Sequence, residues 1–194
     1  MLYGDTALAL RLGHRQSVDF HFFGTSRFEP SALIASVPLL ASATITQQAP
    51  DILSVMVDRE GPIKLSFFGV PRIGRVQPAD RADDNGLQVA SLLDLAGTKA
   101  FVVQQRAEAK DYIDIDAILT DGRIDSPLAL AAAQAIYGEQ FNPLTTLKAL
   151  SFFDDGDLRH LPKSARDRLV ATSRQVNLGR LPALPRMARG HHEP

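Results

Sequence analysis

The sequence predicts an α+β chain: a small mixed sheet with flanking helices, followed by a helical C-terminal half. Three observations carry this. Residues 18–23 (VDFHFF) alternate and are rich in aromatics, and 43–48, 52–58 and 63–68 read as three further strands. The second half then changes character, with cap residues placed before prolines at Ser126-Pro127 and Asn142-Pro143. A chain of 194 residues with 45% hydrophobic content is also long enough to bury a core.

Taken in order, Gly4 to Leu12 (GDTALALRL) reads as a short helix, closed by Gly13, which tolerates a left-handed cap. The strand 18–23 follows a polar turn. Pro30 opens a helix to Leu40. Glu60-Gly61-Pro62 turns between the last two strands, and residues 71–86, with Pro71, Gly74, Pro78 and an Asp83-Asp84-Asn85-Gly86 turn, form a connecting loop. Ser91 with Asp94 three residues on is a capping-box start for a helix reaching Arg106. Further helices run from Ala109 to about Gly122, from Ser126-Pro127 to Gly138, from Asn142-Pro143 onward, and over 162–173. This divides the chain into a sheet core at 1–88, a helical half packed on it at 89–176, and a mobile basic tail at 177–194.

Composition excludes several classes. The absence of cysteine removes disulfides, thiolate metal sites and cysteine nucleophiles. No stretch approaches the apolar length of a membrane span, and Asp5 and Arg11 spoil any signal-peptide pattern, so the expected location is cytoplasmic, with no membrane partner. The formal net charge of −1 hides an asymmetry: residues 1–157 carry 13 basic against 20 acidic side chains, and residues 158–194 carry 8 against 2. Such a basic end either attracts a polyanion such as RNA or neutralises its own acidic body.

Three stretches could carry chemistry. In residues 4–24, Asp19 and His21 are two apart on a strand and share a face, while the amides near Gly4 open a helix where an anion could sit. A solvated strand face explains Asp-x-His equally. In Ile63 to Phe68, Lys64 and Ser66 share a face. In residues 91–119, Lys99 and Arg106 are seven apart, on one face if the helix is continuous, and Lys110, Asp111 and Asp114 follow. A salt-bridged helical hairpin is the alternative reading. His160, His191 and His192 have no ligand spacing and read as surface residues.

The first stretch resembles the opening motif of the AbiEii/AbiGii nucleotidyltransferase toxin family, Gly-Gly-Thr-Ala-Leu ahead of a strand ending Asp-x-Asp-Phe-Phe. Gly4, Thr6, Ala7, Leu8, Arg11, Leu12, Gly13, His14, Arg15, Ser17, Asp19, Phe22 and Phe23 stand where that pattern puts them. Lys99, Arg106, Lys110, Asp111 and Asp114 match its later motif, and residues 138–158 resemble the helical tail of one branch, so the likeness spans about 4–158. The resemblance implies a metal-dependent nucleotidyltransferase in a toxin–antitoxin or phage-defence system, moving a nucleotide from an NTP to an RNA, particularly tRNA, with a cognate antitoxin as partner. It implies metal at Asp19 and His21, catalytic roles for Asp19, Lys99, Asp111 and Asp114, and nucleotide binding by Gly4, Thr6, Lys64, Arg106 and Lys110. The implied cofactor is a divalent ion, Mg²⁺ or Mn²⁺.

This chain departs from the pattern at three places. Asp5 replaces the second glycine, His21 the second aspartate, and Ser66 stands where a third carboxylate is sought. Paired carboxylates suit Mg²⁺, whereas an imidazole suits a softer ion, and Asp5 adds negative charge where phosphate is expected. A degenerate domain that binds nucleotide, RNA or protein without turnover is therefore the competing reading. The family also carries a helical segment ahead of the first motif, so a start three residues before Gly4 implies truncation or a late start.

Overall fold

A computed structural model describes residues 1–70 and 73–187, and in it the chain divides into two compact units. The first comprises Met1–Ile73 and Ala79–Ala90, the second Gly74–Pro78 and Ser91–Pro194. The expectations for Pro71, for His191 and His192, and for the last part of the basic tail fall outside the described residues.

The first unit runs β1 (Leu2–Tyr3), α1 (Gly4–Leu12), β2 (Asp19–Gly24), α2 (Pro30–Ser36), a 3₁₀ turn (Pro38–Leu40), β3 (Thr44–Ala49), β4 (Ile52–Asp58), β5 (Pro62–Gly69), β6 (Asp80–Arg81) and β7 (Gln88–Val89). The strands form one mixed sheet in the order β3-β4-β5-β2-β1-β7-β6. β2 pairs with β5 and β1 with β7 in parallel; the remaining pairs are antiparallel. Gly13 caps α1 in the left-handed conformation at φ 61°, and its amide donates to the Ala9 carbonyl. The helix expected over 30–40 ends at Ser36, because Val37 precedes Pro38 and is held extended; a single 3₁₀ turn completes the span. The loop expected over 71–86 contains β6, whose hairpin with β7 is held by Arg11: its guanidinium donates to the Ala90 and Val89 carbonyls and to the Asp80 carboxylate.

Pleat parity divides the sheet into unlike faces. Phe20, Phe22, Leu53, Val55, Val57, Leu65 and Phe67 belong to one apolar cluster, which packs with Leu33 and Ile34 of α2 and with Leu40. Their neighbours along each strand point the other way. In register, Asp19 stands beside Lys64, and Tyr3, His21, Ser66, Ser54 and Gln47 form a row across five strands.

The second unit is helical: α3 (Leu92–Val102), α4 (Ala109–Asp121), α5 (Ser126–Tyr137), α6 (Pro143–Ala149) and α7 (Lys163–Gln175), with short 3₁₀ turns between. α3 begins as expected, with the Ser91 hydroxyl accepting from the Asp94 amide, but stops at Val102 rather than Arg106. Past that point Gln104 is anchored by donating to the Asn142 carbonyl and the Thr146 hydroxyl, so the chain turns. α5 is capped by Asp125, one residue before the serine expected in that role, and its carboxylate accepts from the Leu128 amide. Buried Asp94 also accepts from the Val76 and Gln77 amides, which ties the segment Gly74–Pro78 to α3. Burial raises its carboxyl above the usual range, against the lowering effect of the Ser91 hydroxyl and these amides. Within the basic end, Leu178–Arg180 form a 3₁₀ turn and the Met187 amide donates to the Arg75 carbonyl. His160 is exposed, and no helix among the described residues is long and apolar enough to cross a membrane.

Gly97 sets the spacing of α3 and α5, because a Cβ there would lie 2.8 Å from the Ala133 nitrogen and 2.9 Å from the Ala132 carbonyl carbon. Those contacts are backbone and cannot rotate away. Gly97→Ala is expected to destabilise the chain by about 1–3 kcal/mol despite the better helix propensity of alanine, read as a lowered urea midpoint.

Candidate functional site

In the first unit the polar face of the sheet gathers four of the predicted residues. β2 contributes Asp19 and His21, and β5 sets Lys64 beside Asp19 and Ser66 beside His21. Ser66 thus occupies the place where a third carboxylate was sought. It is buried, and its hydroxyl lies 3.0 Å from that of buried Ser54, either serving as donor. The His21 ring meets Phe68 edge-on at 6.0 Å between centroids, and Phe23 packs on Tyr3 at 4.7 Å.

Gly4 stands at the start of α1 with φ 73°, and a Cβ on it would fall 2.6 Å from His21 Nδ1. Only glycine both adopts that conformation cheaply and leaves room for the imidazole. Thr6 acts within the protein: its Oγ1 donates to the Asp19 carbonyl at 2.6 Å and lies 2.9 Å from the Ser17 hydroxyl, fixing α1 against the start of β2. Asp5, buried at the first turn of α1, has Arg15 at 3.1 Å. That guanidinium offsets the negative charge of Asp5. Sequence reasoning missed this pairing, because nine residues of helix, cap and turn separate the two and no periodicity links them.

In the second unit Lys99, Asp111 and Asp114 form a buried ion cluster. Lys99 Nζ lies 2.6 Å from a carboxylate oxygen of each aspartate, and all three side chains are almost wholly buried. Arg106 adds a half-exposed guanidinium, with Nε 2.7 Å and Nη2 3.3 Å from the Asp111 carboxylate. It does so from the turn after α3, not from a helical face shared with Lys99. Lys110 Nζ lies 3.3 Å from the Glu108 carboxylate. Beside Asp111, burial and the charges of Asp111 and Asp155 push the Tyr112 phenol up to about 12, which keeps it protonated.

The donors on the sheet face are one carboxylate and one imidazole, with a hydroxyl in the third position. That set fits a divalent ion of intermediate softness, such as Mn²⁺, better than Mg²⁺, which wants oxygen ligands throughout. Lys99, by contrast, is committed to two anions. Removing it takes a shared counter-ion from two buried carboxylates, of which Asp111 keeps Arg106, so Lys99→Met is expected to cost about 3–5 kcal/mol in urea unfolding. Arg106→Ala, which removes a half-exposed partner, should cost about 1 kcal/mol or less. Equal losses for the two variants would show that Lys99 is not the cluster's central counter-ion.

An uncharacterized protein of Aquifex aeolicus (strain VF5) is 33% identical over 116 residues, covering 59% of this chain and 54% of that protein. The chain thus spans about half the length of the curated relative it matches. The family described as nucleotidyl transferase AbiEii toxin, Type IV TA system, matches residues 1–180. The mixed sheet followed by a helical half is consistent with a nucleotidyltransferase-like fold, and the chain belongs to the AbiEii nucleotidyl transferase toxin family of type IV toxin–antitoxin systems.

Proposed function

We propose that this chain transfers a nucleotide from an NTP to a hydroxyl of an RNA acceptor, tRNA in the first instance, with release of pyrophosphate. It would act in the cytoplasm and be held in check by a cognate antitoxin. The observation that carries this reading is the sheet face on which Asp19 and His21 stand in register with Lys64 and Ser66. A divalent ion held by Asp19 and His21 would supply charge neutralisation for the nucleotide phosphates. Lys64 adds a positive charge beside Asp19, and the amides at the start of α1 favour an anionic group. Lys99, Arg106 and Lys110 contribute the cationic groups of the family's later motif, while Asp111 and Asp114 orient Lys99. Exposed Arg159, Arg174 and Arg180 offer a field that suits a polyanionic acceptor.

A second reading, binding without turnover, is favoured by one specific observation. Ser66 and Ser54 are buried and hydrogen-bonded to each other, so the position expected to hold a carboxylate base holds a neutral, satisfied hydroxyl.

Incorporation of radiolabelled nucleotide into total tRNA distinguishes the two. The unmodified chain is expected to label tRNA in Mn²⁺ and much less in Mg²⁺, with EDTA abolishing the signal. Asp19→Asn should lose labelling by about two orders of magnitude. His21→Asp should shift the preference toward Mg²⁺ and tighten Mg²⁺ binding in calorimetry. Folded wild type and His21→Asp that both fail to label with either ion would overturn transfer in favour of binding alone.

A further inference from the structure

The outer edge of the sheet carries an interaction surface independent of the transferase reading. β3 ends the strand order, so among the described residues no strand pairs with its outer side. Thr44 to Gln48 are exposed, and the strand Thr-Ile-Thr-Gln-Gln-Ala contains no charge and no proline, two of the usual guards of an open edge. Ile45 is 47% exposed although it stands opposite buried Val55, on the apolar face. Leu39, also exposed, lines an apolar groove on that face with Val37, Leu40, Val57 and Ile63.

We infer that this edge pairs with the same edge of a second copy, antiparallel about a two-fold axis, joining two sheets into one. The argument lies in the bulge. Ile45 faces Val55 and Gln48 faces Leu53, so Thr46 and Gln47 together stand opposite the single residue Ser54. The Thr46 hydroxyl donates to the Ser54 carbonyl at 3.1 Å and pins this arrangement. A regular strand laid along the outer side brings one residue where β3 has two and loses register there. A second β3 brings two.

In the two-fold register Thr44 meets Ala49, Ile45 meets Gln48 and Thr46 meets Gln47 of the other copy. Facing parity is also satisfied. Ile45 and Gln48 share the apolar side, while Thr44 and Ala49 share the other, opposite Met56 and Ile52. No like charges oppose each other, and the contact is isologous and therefore closes at two copies.

Sedimentation of the full chain over a concentration series tests this. The unmodified chain should dimerise. Ile45→Lys with Gln48→Lys should place like charges in register and weaken the dimer at least about tenfold, whereas Ile45→Lys with Gln48→Glu should restore it. Because the chain has no cysteine, Ile45→Cys with Gln48→Cys should give a covalent dimer under oxidation, visible without reductant. A wild type that stays monomeric at every concentration overturns the inference. So does a dimer untouched by the two lysines, or a Lys/Glu variant that remains monomeric while the cysteine pair fails to cross-link.

Discussion

The parallel pairing of β2 with β5 constrains everything on the sheet. Side chains alternate with a period of two, so the register that sends Phe20 and Phe22 into the apolar cluster with Leu65 and Phe67 must send Asp19 and His21 the other way, beside Lys64 and Ser66. A slip of β2 by one residue would drive a carboxylate and an imidazole into the core formed with Leu33, Ile34 and Leu40. Burial of each large apolar side chain is worth about 1.5–3 kcal/mol, so the cluster holds the polar face in place with a wide margin. Packing thus positions the chemistry.

The helical unit follows a different rule. There a single lysine is solvated by two buried carboxylates, and the arrangement is stable only because each charge has a close partner. The same pattern of pairing recurs where Asp5 meets Arg15 and where Arg11 gathers carbonyls and a carboxylate at the β6–β7 hairpin. These partners explain how a chain with an acidic body tolerates carboxylates inside it. They also alter the meaning of two unusual residues. Asp5 arrives with its own counter-ion, and Ser66 with its own hydrogen-bond partner, so neither departure from the family pattern leaves an unsatisfied group behind.

His21 is the departure with the most chemical consequence. Its ring fits because Gly4 lacks a Cβ and because Phe68 stands at its edge. An imidazole accommodated this closely is a built feature of the sheet face, and it turns an all-oxygen donor pair into a mixed one.

Local signals in the chain were enough to reveal the helices over 4–12, 109–121 and 163–175 and the strands at β2 to β5, within a residue or two, because each has a clear period or a cap such as Gly13 or Gly122. The α+β class and the shared face of Asp19 and His21 followed from the same periodicities. Strands of two residues, β1, β6 and β7, were illegible, since two residues have no period and such strands exist only through their neighbours. The end of α3 at Val102 depends on Gln104 reaching α6, a contact forty residues away in sequence that no local propensity encodes. Pairings likewise came from three dimensions alone: Ser66 with Ser54, Asp5 with Arg15, and Lys99 with both aspartates. A residue's type states which partner it needs; the folded chain alone states which one lies within three ångströms.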